Sequence, residues 1–468
     1  MFKSKSSSVK EDSASAKSKS VEPGPSEASS TTVVATNNDQ GKIMGMLNIL
    51  RKLIGVKDLI NLRLSLPTQL LDPISNLEFW GYMDQPEYFL KIPDSDDPVE
   101  RMISVIRWWI IKDFKYSDGK LTKPFNSVLG EQFFCKWEVT EHDMKEFSPQ
   151  DANLFSGSNS DKSSISDSKK KSKSSSKSSS KYPSESKSAS PSEPAGDDSK
   201  VLYNVEYITE QVSHHPPVSA FVYRCPEKKL TASGLDHIAA KFSGFSATVK
   251  SGSWTKGIFV KLGTRDDEEY LATHSEAQVV GWLTGSLKLV VTGTSRFSCP
   301  KTGIAAVVDF TEKNWYGKLA DVMDGKIFKY DPATDDISTW TSKTVPEKNE
   351  IIATISGQWN GESFLYTSKK AKPVLLVDMK SARIAKRFIK PDDEQSPIES
   401  RRVWGDVARL MIKKDFSAAT KLKIEIEDNQ RKIAEERKEK DEPFVPKLFV
   451  NSFDDGNPKL LENAPINI

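Results

Sequence analysis

Apolar residues recur along this chain with two different periods, and long stretches carry neither. Between Val201 and Ile208, the residues Val201, Tyr203, Val205 and Tyr207 fall on alternate positions, the pattern of a strand with one buried face. Strand-like runs also cover Gln132 to Val139, Val218 to Tyr223, Gln278 to Leu283, Leu287 to Thr292, Ile304 to Phe310, Ile351 to Trp359 and Val374 to Met379, with Gly and Asn/Asp clusters between them. Many short strands at this spacing predict a large antiparallel sheet, and closing it on itself removes exposed edges. Helical spacing is confined to the ends. Ile43, Met44, Met46, Leu47, Leu50, Leu53 and Ile54 form a short amphipathic stretch. Val99 to Ile111 read as a helix started by Asp97-Pro98. Val403, Val407, Leu410 and Met411 share a helical face, and a charged helix is predicted from about Ser417 to Lys440. The expected class is α+β, with the sheet central and the helices terminal.

Two stretches are polar throughout. Residues 1–40 hold Ser, Lys, Ala, Glu and Thr with almost no large apolar side chains. They bury too little surface to offset ordering entropy and are expected to be a disordered tail. Residues 156–200 are more extreme: between Ser160 and Ser180 the only large apolar residue is Ile165, and Lys169-Lys170-Lys171-Ser172-Lys173 is strongly basic. Strand-like sequence on both sides makes this an insert within one domain, 41–454, with 455–468 as a C-terminal tail. The lysines of the insert are either plain solvated surface or an adhesive for anionic lipid.

Composition narrows the classes. Of 468 residues, 67 are Lys or Arg and 65 Asp or Glu, a net charge of +2 that offers no global field for nucleic acid. Cys135, Cys225 and Cys299 are few and far apart, as in a reduced, cytosolic chain with buried thiols. Met1-Phe2-Lys3-Ser4-Lys5 opens into Ser and Lys, so no signal peptide is expected. No run approaches the roughly 20 apolar residues of a membrane span. Localisation is therefore expected to be cytoplasmic, with transient peripheral contact to anionic membrane surfaces.

The chemistry concentrates in Glu210-Gln211-Val212-Ser213-His214-His215-Pro216-Pro217, which holds two of the chain's five histidines. Alternation at a strand's end predicts that the two rings point to opposite sides, and the prolines end the ladder. A pair of imidazoles on a stiff turn offers N–H donors to an anion. A zinc site needs three or four converging ligands, and no such spacing lies nearby. Lys423, Glu427 and Arg431 lie four apart, on one helix face, beside an apolar stripe of Leu422, Ile426 and Ile433. By itself such a line of charge is more often an exposed, salt-bridged face. In Lys123-Pro124-Phe125-Asn126-Ser127-Val128-Leu129-Gly130-Glu131, Asn126 is expected to close an Asx turn and Gly130 to supply a positive φ.

These segments, with Glu399-Ser400-Arg401-Arg402-Val403-Trp404 and Ile355-Ser356-Gly357-Gln358-Trp359, resemble the oxysterol-binding-protein-related lipid-transfer family, in the short form without a pleckstrin-homology domain or an acidic tethering motif. Ser127 stands where the family motif usually has proline. The resemblance implies a large incomplete antiparallel β-barrel enclosing a lipid tunnel, an N-terminal helical lid at 41–62 (Ile43, Met46, Leu47, Leu50, Leu53 and Ile54) and a C-terminal helical region. It implies phosphatidylinositol 4-phosphate as cargo. Lys123 and Asn126 would contact the headgroup, His214 and His215 the 4-phosphate, Lys423 and Arg431 would add charge, and Glu427 would bind inositol hydroxyls. Glu131 is the weaker candidate for a direct ligand. The second cargo is sterol or phosphatidylserine; Asp236 and Ser251 stand where a sterol-binding relative has Asn and Gln, as candidate polar readers in the tunnel. The implied protein is a monomeric exchanger of lipids between membranes, or alternatively a lipid sensor, with bound lipid but no cofactor or metal, no nucleic-acid partner and no enzymatic activity.

Overall fold

The computed structural model describes Thr68 and residues 71–112, 114–117, 123–147, 200–243, 246–280, 288–313, 319–368, 370 and 372–468. The expected tail at 1–40, the lid at 41–62 with its apolar residues, and the insert up to 199 lie outside the described residues. Six α-helices are described: α1 (Asn76–Phe79), α2 (Pro86–Leu90), α3 (Pro98–Ile111), α4 (Glu141–Glu146), α5 (Ser400–Ile412) and α6 (Phe416–Glu439).

Fourteen strands make one antiparallel sheet. They are β1 (Gln132–Thr140), β2 (Val201–His214), β3 (Pro217–Cys225), β4 (Leu230–Ser243), β5 (Ser246–Ser251), β6 (Ile258–Leu262), β7 (Glu268–Ala272) and β8 (Glu276–Val280). β9 (Lys288–Cys299), β10 (Ile304–Lys313), β11 (Leu319–Lys329), β12 (Ile351–Gln358), β13 (Glu362–Tyr366) and β14 (Val374–Asp378) complete it. Neighbours in sequence are neighbours in space, except that β5 pairs β8 while β6 and β7 link β4 to β9. The sheet curves into an incomplete ring, with β1 and β14 at its two free edges.

Both edges are covered, which blocks pairing with another chain. On β1, Lys136 and Phe388 exchange backbone hydrogen bonds at 3.0 and 2.7 Å. On β14, the Arg107 guanidinium of α3 donates to the Leu376 and Leu375 carbonyls at 3.1 and 3.4 Å. Helix α3 begins as expected, with the Asp97 carboxylate accepting from Val99 N at 2.7 Å. It is buried almost all round, and Ile103, Ile106, Trp108 and Trp109 join Val205, Tyr207, Phe221 and Tyr223 in the main core.

Six strands escaped the sequence pattern: β4, β5, β6, β7, β11 and β13. β4 shows why. Its Ala, Ser and Gly residues leave no alternation to read, yet Gly234 is needed, because a Cβ there would lie 2.9 Å from the Phe221 ring and from the Gly257 carbonyl. Small residues let two strands and an aromatic ring close up, a demand visible only in three dimensions.

Residues 455–468, read as a tail, lie against the sheet. Leu448 and Phe449 are buried with Phe134, Ile208, Val212, Val218 and Leu235 on the outer face, and Leu460, Ala464 and Ile466 pack beside them. The stretch of β2 leading to the histidines is therefore covered on both faces.

Candidate functional site

Three segments far apart in sequence meet at the end of β2. The ladder does not stop at the prolines: it turns at His215-Pro216 and resumes with Pro217 opposite His214. The two imidazoles do not point to opposite sides. Their ring centroids are 4.8 Å apart, because His215 sits in the turn, outside the strand alternation that holds only within the ladder. His215 is exposed and His214 half-buried.

The Lys123–Glu131 loop runs beside this strand end. Gly130 N donates to the Gln211 carbonyl, and Gln211 N to that of Glu131, both at 2.8 Å. Gly130 has φ +80°, as expected, with the Phe444 ring 3.2 Å from where a Cβ would be. The expected Asx turn is absent, since Asn126 Oδ1 accepts from Lys123 Nζ at 2.7 Å instead. Phe125 is fully buried and stacks on Trp404 of α5, with ring centroids 4.9 Å apart and planes 17° apart.

Glu131 is not a ligand at the rim but the anchor of this loop. It is fully buried. Oε1 accepts from the Ser75 and Ser400 hydroxyls, the latter at 2.6 Å. Oε2 accepts from Val128 N and Trp404 Nε1, both at 2.9 Å. Burial pushes its carboxyl up, and these four hydrogen bonds hold it down. Glu210 does a related task on the outer face, accepting from Lys447 N and Leu448 N at 2.8 Å each. Two of the motif carboxylates are thus structural fasteners for the histidine strand.

Helix α6 supplies the third segment. Lys423 is 4% exposed and donates to Glu427 Oε1 at 2.5 Å. Leu422 and Ile426 pack toward Trp404 and Val407, but Ile433 does not extend that stripe and is exposed. Arg431 leans outward, paired with Asp428 and 3.8 Å from Glu427. Burial by the surrounding protein and, after it, the charge of Lys423 pull Lys123 down to about 8, although its side chain is exposed to solvent. A cation surrounded by protein yet reached by water lies in a recess. Burial, with the neighbouring His215, pulls His214 below its usual value, and Glu427 acts the other way. The site thus gathers cationic donors that repel one another, which is the electrostatic state an anion relieves.

This has a measurable consequence. A dianionic ligand raises the proton affinity of Lys123 and His214, so binding takes up protons. Lys123 is protonated below about 8 in the free protein, and affinity should fall as pH rises through that value, by up to about tenfold per unit. His214 should add affinity as pH falls toward 6.5, until the phosphate itself gains a proton near its second pKa of about 6. Titrating a short-chain phosphoinositide from pH 6.5 to 9.5 checks this, and a flat profile rules out the linkage.

A second polar cluster lies on the inner face of the sheet and was only partly legible in sequence. Tyr82 Oη donates to Asp236 Oδ1 at 2.9 Å. Lys112 Nζ sits 4.1 Å from the Trp109 ring and 5.4 Å from that of Tyr82. His274 lies against both rings, at 4.9 and 6.2 Å. Burial pushes the Asp236 carboxyl up to about 7, against the pull of Lys112 and Lys115. Burial and the Lys112 charge pull His274 down to about 3. Asp236 and His274 nonetheless retain some accessible surface. Ser251 pairs with Ile238, on the same face as Asp236 and diagonal to it, and is exposed. Lys112, Tyr82 and His274 gave no sequence signal, because only packing brings a helix end, a loop and a turn together.

A curved, incomplete antiparallel ring with polar groups on its inner face and a cationic cluster at the end of β2 is the frame of a lipid-binding domain. The chain belongs to the oxysterol-binding protein family, whose model matches residues 45–462, and is a lipid-binding and transfer domain of that family. It is 38% identical to oxysterol-binding protein-like protein 1 of Schizosaccharomyces pombe, across 91% of this chain and 90% of the relative. It is 27% identical to the Candida albicans protein OBPa, across 88% of this chain and 76% of the relative. Its fold is similar to that of the Osh1 ORD domain in complex with cholesterol (TM-score 0.55, 16% identity, 86% of this chain and 82% of the other). It is also similar to that of the Osh3 ORD of Saccharomyces cerevisiae in complex with PI(4)P (TM-score 0.56, 18% identity, 89% and 90%).

Proposed function

We propose that this protein extracts phosphatidylinositol 4-phosphate from one membrane and exchanges it for a sterol from another, as a carrier in the cytoplasm that touches membranes transiently. The observation that carries the reading is the convergence of Lys123, His214, His215, Lys423 and Arg431 on one rim, with Asn126 and Glu427 orienting the two lysines. A phosphomonoester brings nearly two negative charges and several acceptors, and charge-assisted bonds to it are the strong kind. The bound PI(4)P of Osh3 and the bound cholesterol of Osh1 support the two cargo classes. For the second cargo, Asp236, Tyr82 and Lys112 offer a donor and an acceptor whose charges offset, which suits one neutral hydroxyl on an apolar body. Catalysis is not part of this reading. Ser213 is the hydroxyl nearest the histidines in sequence, and no grouping of His, Cys, Asp and Glu among the described residues could hold a metal.

The test is extraction of phosphatidylinositol 4-phosphate from liposomes, with sterol carried in the opposite direction. Inorganic phosphate released from the lipid would instead mark an enzyme, and phosphatidylserine displacing sterol would reassign the second cargo. Charge reversal localises the site. Lys423→Glu should weaken phosphoinositide binding by about two decades or more, because it sets like charge against phosphate in a protected recess. Lys423→Met, which keeps the aliphatic stem, should fall between wild type and Glu. Lys421 is exposed, and its direction differs by about 200° on the helix, so Lys421→Glu should cost less than about threefold. Equal losses at 421 and 423 would reduce the helix to diffuse charge.

A further inference from the structure

We infer that the turn between α5 and α6 is a membrane seat, placing Ile412 into the headgroup layer of an anionic bilayer with Lys413 and Lys414 on its surface. The inference rests on the carrier reading above and adds to it a docking surface.

Ile412, at 69% exposure, is the most exposed large apolar residue described. A single exposed Ile carries no meaning on its own; its surroundings do. Lys413 and Lys414 follow at once, both exposed, and neither has an ion-pair partner among the described residues. Lys414 has φ 63°, so the chain reverses sharply and presents the three side chains on one tight turn. The turn is held from behind: Asp415 N donates to the Leu410 carbonyl at 2.9 Å, and the Asp415 carboxylate caps Ala418 N at 3.1 Å. The Asp415 carboxylate is thereby held toward the α6 N-terminus, and with two lysines against one aspartate the turn keeps a net positive charge.

Position selects the occupant. Seven residues of α6, about 10 Å at 1.5 Å each, separate Phe416 from Lys423 in the phosphate recess. The first turn of α6 is tied to Thr68, whose hydroxyl donates to the Phe416 carbonyl at 3.1 Å and lies 2.8 Å from that of Thr420. A carrier must bring its recess to the bilayer, and an apolar point flanked by two cations beside that recess matches an anionic interface in charge and polarity. Ile384, at 64% exposure between Arg383 and Lys386, is a matched control. Its loop is tied to α4 through Arg383 and Glu146, at 3.3 Å.

The experiment measures partitioning of the full chain onto phosphatidylcholine vesicles, with and without phosphatidylserine and free of phosphoinositide, so that the recess is not the handle. Ile412→Ser should lower partitioning about tenfold on both vesicle types, the loss of one half-inserted aliphatic side chain. Lys413→Ser with Lys414→Ser should lower it about tenfold on the phosphatidylserine vesicles alone, and the loss should shrink as salt rises. Ile384→Ser should leave it unchanged. Short-chain phosphatidylinositol 4-phosphate in solution should bind all variants as it binds wild type. Partitioning unchanged by Ile412→Ser, or lowered as much by Ile384→Ser, overturns the seat. So does an equal loss of soluble phosphoinositide binding, which would make the turn part of the recess. Wild-type protein that fails to bind the soluble phosphoinositide would overturn the carrier reading instead, whatever the vesicles show.

Discussion

Replacing His214 and His215 together by Ala is expected to lower extraction of phosphatidylinositol 4-phosphate at least about a hundredfold. Each imidazole removed takes away a charge-assisted bond worth roughly 1.5–3 kcal/mol, and about 1.4 kcal/mol is one decade. The fold should be indifferent to the change. His215 is exposed and His214 half-buried, and their described ring contact is with each other. The strand beneath them is held independently by Glu210 and by the Gly130–Gln211 hydrogen bonds. Liposome extraction alongside thermal melting separates the two effects. Extraction by the double variant at the wild-type level would remove the histidines from the site.

Glu131→Ala should be the most destabilising single change in the same region, at about 3–5 kcal/mol. Four donors lose their acceptor at once: the Ser75 and Ser400 hydroxyls, Trp404 Nε1 and Val128 N. A buried donor left unsatisfied costs about 1–3 kcal/mol. The two hydroxyls can rotate toward each other or toward Ser127 and recover part of this, which sets the total below the simple sum. The melting temperature should drop by roughly 3–6 °C for a chain of this size. Glu131→Gln should lose less, because its carbonyl keeps one pair of donors while its amide can still donate to a hydroxyl. Phosphoinositide binding by Glu131→Ala should suffer even where the protein is folded, since this carboxylate joins the loop bearing Lys123 and Asn126 to α5. A chemical-denaturation difference below about 1 kcal/mol would show that these four hydrogen bonds do not fasten the loop.

Features that depend on neighbours along the chain were legible from the residues alone. Strand-like runs between turn residues marked β1, β2, β3, β8, β9, β10, β12 and β14, and alternation was plain at the start of β2. Asp97-Pro98 marked the start of α3, and Gly130 marked a left-handed turn, because caps and positive φ are local demands. Motif resemblance then pointed to all three segments of the rim. How those parts act depends on contacts made through space. Lys123 and Lys423 are 300 residues apart in sequence, and only folding sets their charges against each other and pulls Lys123 down to about 8. Only the turn geometry brings His214 and His215 to one side, since strand alternation ceases where the ladder does. The motif residue Glu131 proved to be a buried fastener, because a carboxylate's role follows from what surrounds it and not from the residues beside it in the chain. Burial raised Asp236 to about 7 against Tyr82 and Lys112, which reach it from a loop and a helix end. Electrostatic energies and burial depend on distances through space, and a one-dimensional pattern carries those distances only where the chain is regular.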